Sequence, residues 1–291
     1  SFLPILTTPH TSLGSGLFFY YMSCETEVED RLCSAGFKVL QKNSVSDNFQ
    51  LRVITLQCLA NLMPCQERLR IAELVVTTLH HMYRDYLDET WNEEILQVLL
   101  QVTSFSNCLR IMMDADIMDI ISLAAAEVRE NISCGRLIVR ILSHFLHQPD
   151  LGEDLIHADY SRIFIDLLGL DDMFITEYCM HAFAVMSSHD ILINSVSDSD
   201  IVHIVCGYIA SSDTLQIQII EDIARYLCNI CQPNSKFLEQ RVSDGAAHAL
   251  LDLFRLCPNN DHIQRYAIIG IRDILTNLNN CTTLSSLMTP A

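Results

Sequence analysis

The residues able to do chemistry in this chain stand mostly alone. "CNIC", Cys228 to Cys231, is a CxxC pair at a helix end, with no second CxxC or paired His near it. A structural zinc takes four such ligands, so the pair falls short of a metal site. "HFLH" sets His144 and His147 nearly on one helix face, but no Glu lies between them and no third ligand is evident. His80 and His81 are adjacent and point in different directions. The glycines of "GSG" (14–16) lead into aromatics instead of a helix with phosphate-binding spacing. The acidic runs "EVED" (27–30) and "SDSD" (197–200) are solvated turns and helix starts. No Ser-His-Asp or Cys-His set converges. The expectation is a chain with no catalytic residue, no metal and no cofactor, and so not an enzyme.

Elements must position whatever these residues do instead, and composition says which elements. Of 291 residues, half are apolar, while only 9 Gly and 7 Pro punctuate the length. That favours helices joined by short turns over an all-β chain. The formal charge is −18, from 36 acids against 18 bases, a field that repels phosphate backbones and disfavours general nucleic-acid binding. The twelve Cys sit singly on apolar helix faces, with Cys58, Cys179, Cys206 and Cys228 where Ala or Val would serve. They read as reduced core residues of a cytoplasmic or nuclear protein. The longest uncharged apolar run, "GLFFYYM" (16–22), is too short to span a bilayer.

The chain also repeats itself. Six blocks, LANL (59–62), LLQV (99–102), LSHF (142–145), FAVM (183–186), LCNI (227–230) and LTNL (275–278), place a third residue at 61, 101, 144, 185, 229 and 277. An Asp before an apolar run recurs at Asp116, Asp159, Asp200 and Asp244, in step with the blocks at about 42 residues. Each Asp is expected to cap the helix it precedes. Units fall at about 27–64, 65–105, 106–147, 148–188, 189–232 and 233–280 within one repeat domain, 27–280. Residues 1–26 form an N-terminal segment and 281–291 a tail or the start of a further repeat.

A short first helix, a second opened by Asp or Gly, and a long third closing on "LxNL" resemble the armadillo repeat. "RVSDGAAHALLDLFRLCPNNDHIQRYAIIGIRDILTNL" (241–278) carries the resemblance best, and "CLANL" and "YLCNI" share its ending. HEAT repeats have the same period, and the subtype of single repeats stays open. The last unit, through "GIRDIL", is also similar to the C-terminal armadillo segment of the ataxin-ten family. The resemblance implies an all-α fold, a right-handed superhelix of about six repeats whose third helices line a concave groove. The block residues then form a ladder along it. An amide there suits an extended peptide backbone, or equally bonds a neighbouring helix and holds the superhelix together.

The pattern departs from the family in instructive places. Only Asn61, Asn229 and Asn277 are intact; Gln101 and His144 are polar substitutes and Val185 breaks the ladder. The importin-α branch sets Trp one turn before such Asn residues, whereas this chain has Gln57, Gln97, Arg140, His181, Arg225 and Asp273, and its sole Trp, Trp91, lies elsewhere. Arg140 and Arg225 hint at an acidic or phosphorylated partner segment, as in the β-catenin branch. Arg265 and Arg272 are either groove residues or solvated charges. The expectation is a protein–protein interaction scaffold whose groove contacts are Asn61, Gln101, Arg140, His144, His181, Arg225, Asn229 and Asn277. The alternative is an architectural or chaperone-linked subunit assembling through convex or end surfaces. No motif indicates self-association.

Overall fold

The computed structural model describes residues 37–85, 93–127, 131–151, 154–155, 160–190, 192–210, 216–232 and 238–277. The segment 1–26, the acidic run 27–30, Trp91, Asp159 and the tail 281–291 lie outside them. The chain divides into two compact units, 1–151 and 152–291, with the division near the expected boundary between the third and fourth repeats.

The first unit opens with a helical stretch over 37–43. Then come α1 (Phe49–Asn61), α2 (Arg68–Asp85), α3 (Glu93–Thr103), α4 (Ser106–Asp114), α5 (Ile117–Glu127) and α6 (Ile132–Leu146), closed by a 3-10 turn at Pro149–Leu151. In the second unit stand α7 (Tyr160–Leu168), α8 (Met173–Met186), α9 (Ser199–Ala210), α10 (Ile217–Ile230), α11 (Leu238–Ser243), α12 (Ala246–Leu256) and α13 (Asp261–Asn277). All regular structure among the described residues is helical, and the repeats are armadillo-like. The third and sixth show all three helices, α4–α5–α6 and α11–α12–α13. The second merges its first two into the 18-residue α2, so the three-helix expectation does not hold there.

The long third helices stack in order: α1 on α3 on α6 in the first unit, α8 on α10 on α13 in the second. Their apolar block residues make the core. Leu59, Leu99, Leu142, Phe183 and Leu227 are fully buried, because each lies where one third helix meets the next repeat. The sixth block is the exception, with Leu275 46% exposed.

Helix starts differ from expectation. The side chains that cap belong to third helices: Asn48, Asn131, Asp172 and Asn260 accept from the N–H of Leu51, Cys134, Ile175 and Ile263 at 3.0–3.2 Å. The Asp series does other work. Asp116 occupies the left-handed region (φ 57°) in the tight turn between α4 and α5. Asp200 lies inside the first turn of α9, where it suits the helix dipole, while Asp198 accepts its N–H at 2.9 Å. Asp244 is buried and accepts from Gln240, and Gly245 beside it, at φ 107°, starts α12 with no side-chain cap. The periodic Asp marks a turn that several geometries satisfy; the amide and carboxylate that cap sit one helix later.

Candidate functional site

The cap fixes the phase of each third helix. Thirteen residues after Asn48, Asn131, Asp172 and Gln216 come Asn61, His144, Val185 and Asn229. The same count from Asn260 gives Asp273, not Asn277, which lies one turn further along α13. Asp273 is buried. The exposure of Leu275 follows from the same one-turn shift. The sixth ladder position is therefore Asp273. Asn277 keeps its place as the last residue of α13, and its side chain lies outside the described set.

The ladder side chains reach back to the preceding repeat. Gln101 Nε2 donates to the carbonyl of Ala60 at 2.7 Å, in the last turn of α1. His144 Nδ1 lies 2.9 Å from Thr103 Oγ1 at the end of α3. The Thr103 hydroxyl gives its own proton to the Leu99 carbonyl at 2.9 Å, so the imidazole N–H is the donor between them. Asn229 Nδ2 donates to Ser187 Oγ at 3.1 Å, and that hydroxyl donates to the Ala184 carbonyl at 2.9 Å. These bonds join residues 41 or 42 apart, one repeat length. Of the two roles open for the amides, holding neighbouring repeats together is therefore present at three positions. Asn61 is half-buried near the end of α1. A Ser or Thr two residues past the preceding ladder position (Thr103, Ser187) is the receiving signal that sequence reasoning missed.

One turn earlier the charges behave differently from expectation. His181 Nδ1 stands 3.3 Å from Asp222 Oδ2, and Arg225 Nη2 stands 3.3 Å from Asp222 Oδ1. Asp222 is buried, so both cations from successive third helices converge on one desolvated carboxylate. Arg225 is consequently not a groove charge awaiting a partner; its guanidinium is held by Asp222. The sequence carries the signal, an Asp three residues before Arg225, but nothing local distinguishes a paired Arg from a solvated one. Arg140, in the other unit, is exposed on α6. Burial first, then the positive charges of Arg140 and His147, hold the His144 imidazole below its ordinary pKa.

Between α10 and α13 opens a cleft of about 510 Å³. Asn229 and Gln232 border it on one side; His262, Arg265, Tyr266, Arg272 and Asp273 on the other. Arg265 is exposed. Arg272 is tied to Asp273 through Nε at 2.9 Å and Nη2 at 2.7 Å. His262 Nδ1 bridges back 3.4 Å to Glu221 on α10. Gly270 lets the two helices approach: a Cβ there would stand 3.3 Å from Cys228 Cα. Donors and acceptors thus alternate over one open wall, a surface that offers hydrogen bonds without a nucleophile–base pair.

Burial pushes the thiols of the CxxC up, Cys228 to about 11 and Cys231 to about 12, away from the thiolate that a metal needs. Among the described residues no group of three His, Cys, Asp or Glu is placed to hold a metal ion. Nor is any single described helix long and apolar enough to cross a membrane. Arg241, unremarked in the sequence, is fully buried and donates through Nη1 to the carbonyl of Ile230, closing the C-terminal end of α10.

No family model and no curated protein matches the chain. Solved structures do. An engineered protein matches over 94% of this chain and 77% of its own, at 15% identity and a TM-score of 0.55, a likeness of fold alone. Two designed armadillo repeat proteins, one in complex with the peptide (KR)4, each cover 92% of this chain and 96% of their own at 13% identity, with TM-scores of 0.43 and 0.44.

Proposed function

We propose that this chain is a non-enzymatic scaffold that holds an extended segment of another protein along its third helices. The observation that carries the reading is the cleft between α10 and α13, where Asn229, Gln232, Arg265 and Tyr266 present hydrogen-bonding groups and an aromatic face on one open wall. An extended segment has unpaired backbone groups every residue, which such a wall can meet, and Tyr266 supplies apolar area at low entropic cost. An acidic or phosphorylated side chain on the segment would meet the exposed Arg265, and in the first unit Arg140. Buried, high-pKa thiols suit a reducing compartment, the cytoplasm or nucleus.

Arg225→Glu would set two carboxylates against Asp222 and confuse folding with binding, so the test uses Arg265→Glu together with Tyr266→Ala. Peptides selected from a random displayed library on the wild-type protein are titrated against both forms at two salt concentrations. The expected result is a loss of at least tenfold in the variant, about 1.4 kcal/mol, with melting unchanged, and weaker wild-type binding as salt rises. Equal affinities, or a library that yields no binder, would refute the groove reading. The alternative, assembly through an end surface, is favoured by one observation, the apolar outer face of α12 and α13.

A further inference from the structure

That outer face has an open groove of about 590 Å³, lined by Leu251, Phe254, Ile268, Ile271, Leu275 and the end of α13 at Thr276. Phe254, Ile268 and Leu275 are 41%, 53% and 46% exposed, an apolar surface that a lone domain does not ordinarily leave open. The repeat says what such a face is for. One repeat earlier, 44 residues back, the positions of Ile268, Ile271 and Leu275 are held by Ala224, Leu227 and Cys231, all fully buried. They are buried because α12 and α13 lie against α10. The face of α13 is therefore a stacking face, and among the described residues nothing stacks on it.

The occupant is argued from the chain that follows. Residues 278–291 leave α13 directly beyond Thr276, at the rim of the groove. Fourteen residues reach roughly 45 Å when extended, ample to turn back across two helices. The segment contains no charged residue, in a chain of which 19% is charged, so laying it on an apolar surface desolvates no ion. Leu284, Leu287 and Met288 follow the i, i+3, i+4 spacing that puts three apolar side chains on one helix face. Asn279 and Asn280 supply turn residues before them, and Pro290 stops a helix after them.

We infer that residues 281–291 fold back as a short helix onto α12 and α13 and cap the last repeat, with Leu284, Leu287 and Met288 seated over Ile268, Ile271 and Leu275. The cap replaces the missing next repeat with a single apolar layer. It blocks the end of the array from stacking on other molecules.

The test places the photo-crosslinking residue benzoylphenylalanine at Ile268 in the 291-residue protein. After irradiation at low micromolar concentration, the products are sized and peptide-mapped. The expected product is monomer-sized, with the crosslink inside 281–291. A dimer-sized product would assign the face to a second copy. A crosslink to any other segment, or none, would equally overturn the cap. A second protein carries L284S, L287S and M288S beside the same crosslinker. Its crosslink yield should fall at least fivefold, with helicity unchanged, because the substitutions lie outside the repeats. An unchanged yield would show that proximity along the chain, not apolar docking, makes the crosslink, and would overturn the inference.

Discussion

Two glycines of the second unit make opposite predictions for the same substitution. Gly207, in α9, has nothing within 4 Å of the place where a Cβ would stand. Gly270, in α13, would set its Cβ 2.8 Å from Leu250 Cδ1 and 3.3 Å from the Cys228 backbone. In a helix interior, Ala is favoured over Gly by about 1 kcal/mol through lower backbone entropy in the unfolded chain and better shielding. Gly207→Ala should gain that amount. Gly270→Ala gains it too, but must displace a fully buried Leu250 or push α13 away from α10. Overpacking of this kind costs about 1–3 kcal/mol, and the α10 backbone cannot yield as a side chain can. The net expectation is a loss of roughly 1–2 kcal/mol. For a chain of this length each kcal/mol moves Tm by about 2–4 °C. Thermal unfolding by circular dichroism should thus raise Tm for Gly207→Ala and lower it for Gly270→Ala. Hydrogen exchange should show the loss first in α12 and α13, since a repeat array loosens locally. If Gly270→Ala were as stable as Gly207→Ala, the close crossing of α10 and α13 would be wrong, and with it the geometry of the cleft.

Leu227→Ala should destabilise by about 2–5 kcal/mol through lost burial and a cavity, read as a lower melting or denaturant midpoint. His144 has its pKa lowered in the fold, so the unfolded chain takes up that proton first. Its contribution is intact above the unfolded value of about 6.5 and is lost as pH falls from there toward the folded value. His144→Gln, which keeps a ladder amide like Gln101, should make stability flatter with pH across that window; parallel pH profiles for the two proteins would sink the argument. Alkylation of the native protein should leave Cys58, Cys108, Cys134, Cys179 and Cys231 largely unmodified, since all are buried, and unfolding should expose them. Rapid native modification of these five, mapped by mass spectrometry, would contradict the packing.

By itself the sequence determined the helical class, the repeat length and five of the six ladder positions. These are periodic properties: every block from LANL to LCNI must bury the same side of a third helix, so the same apolar letters return about 42 residues on. The sixth was misread because Asn277 imitates the pattern one turn too late, and only the cap at Asn260 fixes the phase. The partners of the ladder residues were decided by tertiary structure alone. Whether Asn229 meets Ser187 or a bound peptide, and whether Arg225 meets Asp222 or solvent, depends on how successive repeats dock. Residues 41 apart carry no local signature of contact. The buried Arg241 was illegible for the same reason, since an Arg is ordinarily solvated until a neighbouring helix end offers its carbonyl. Exposure of Ile268 and Leu275 likewise could not be read from their letters, because an apolar side chain is buried only if the next layer of the stack exists to cover it.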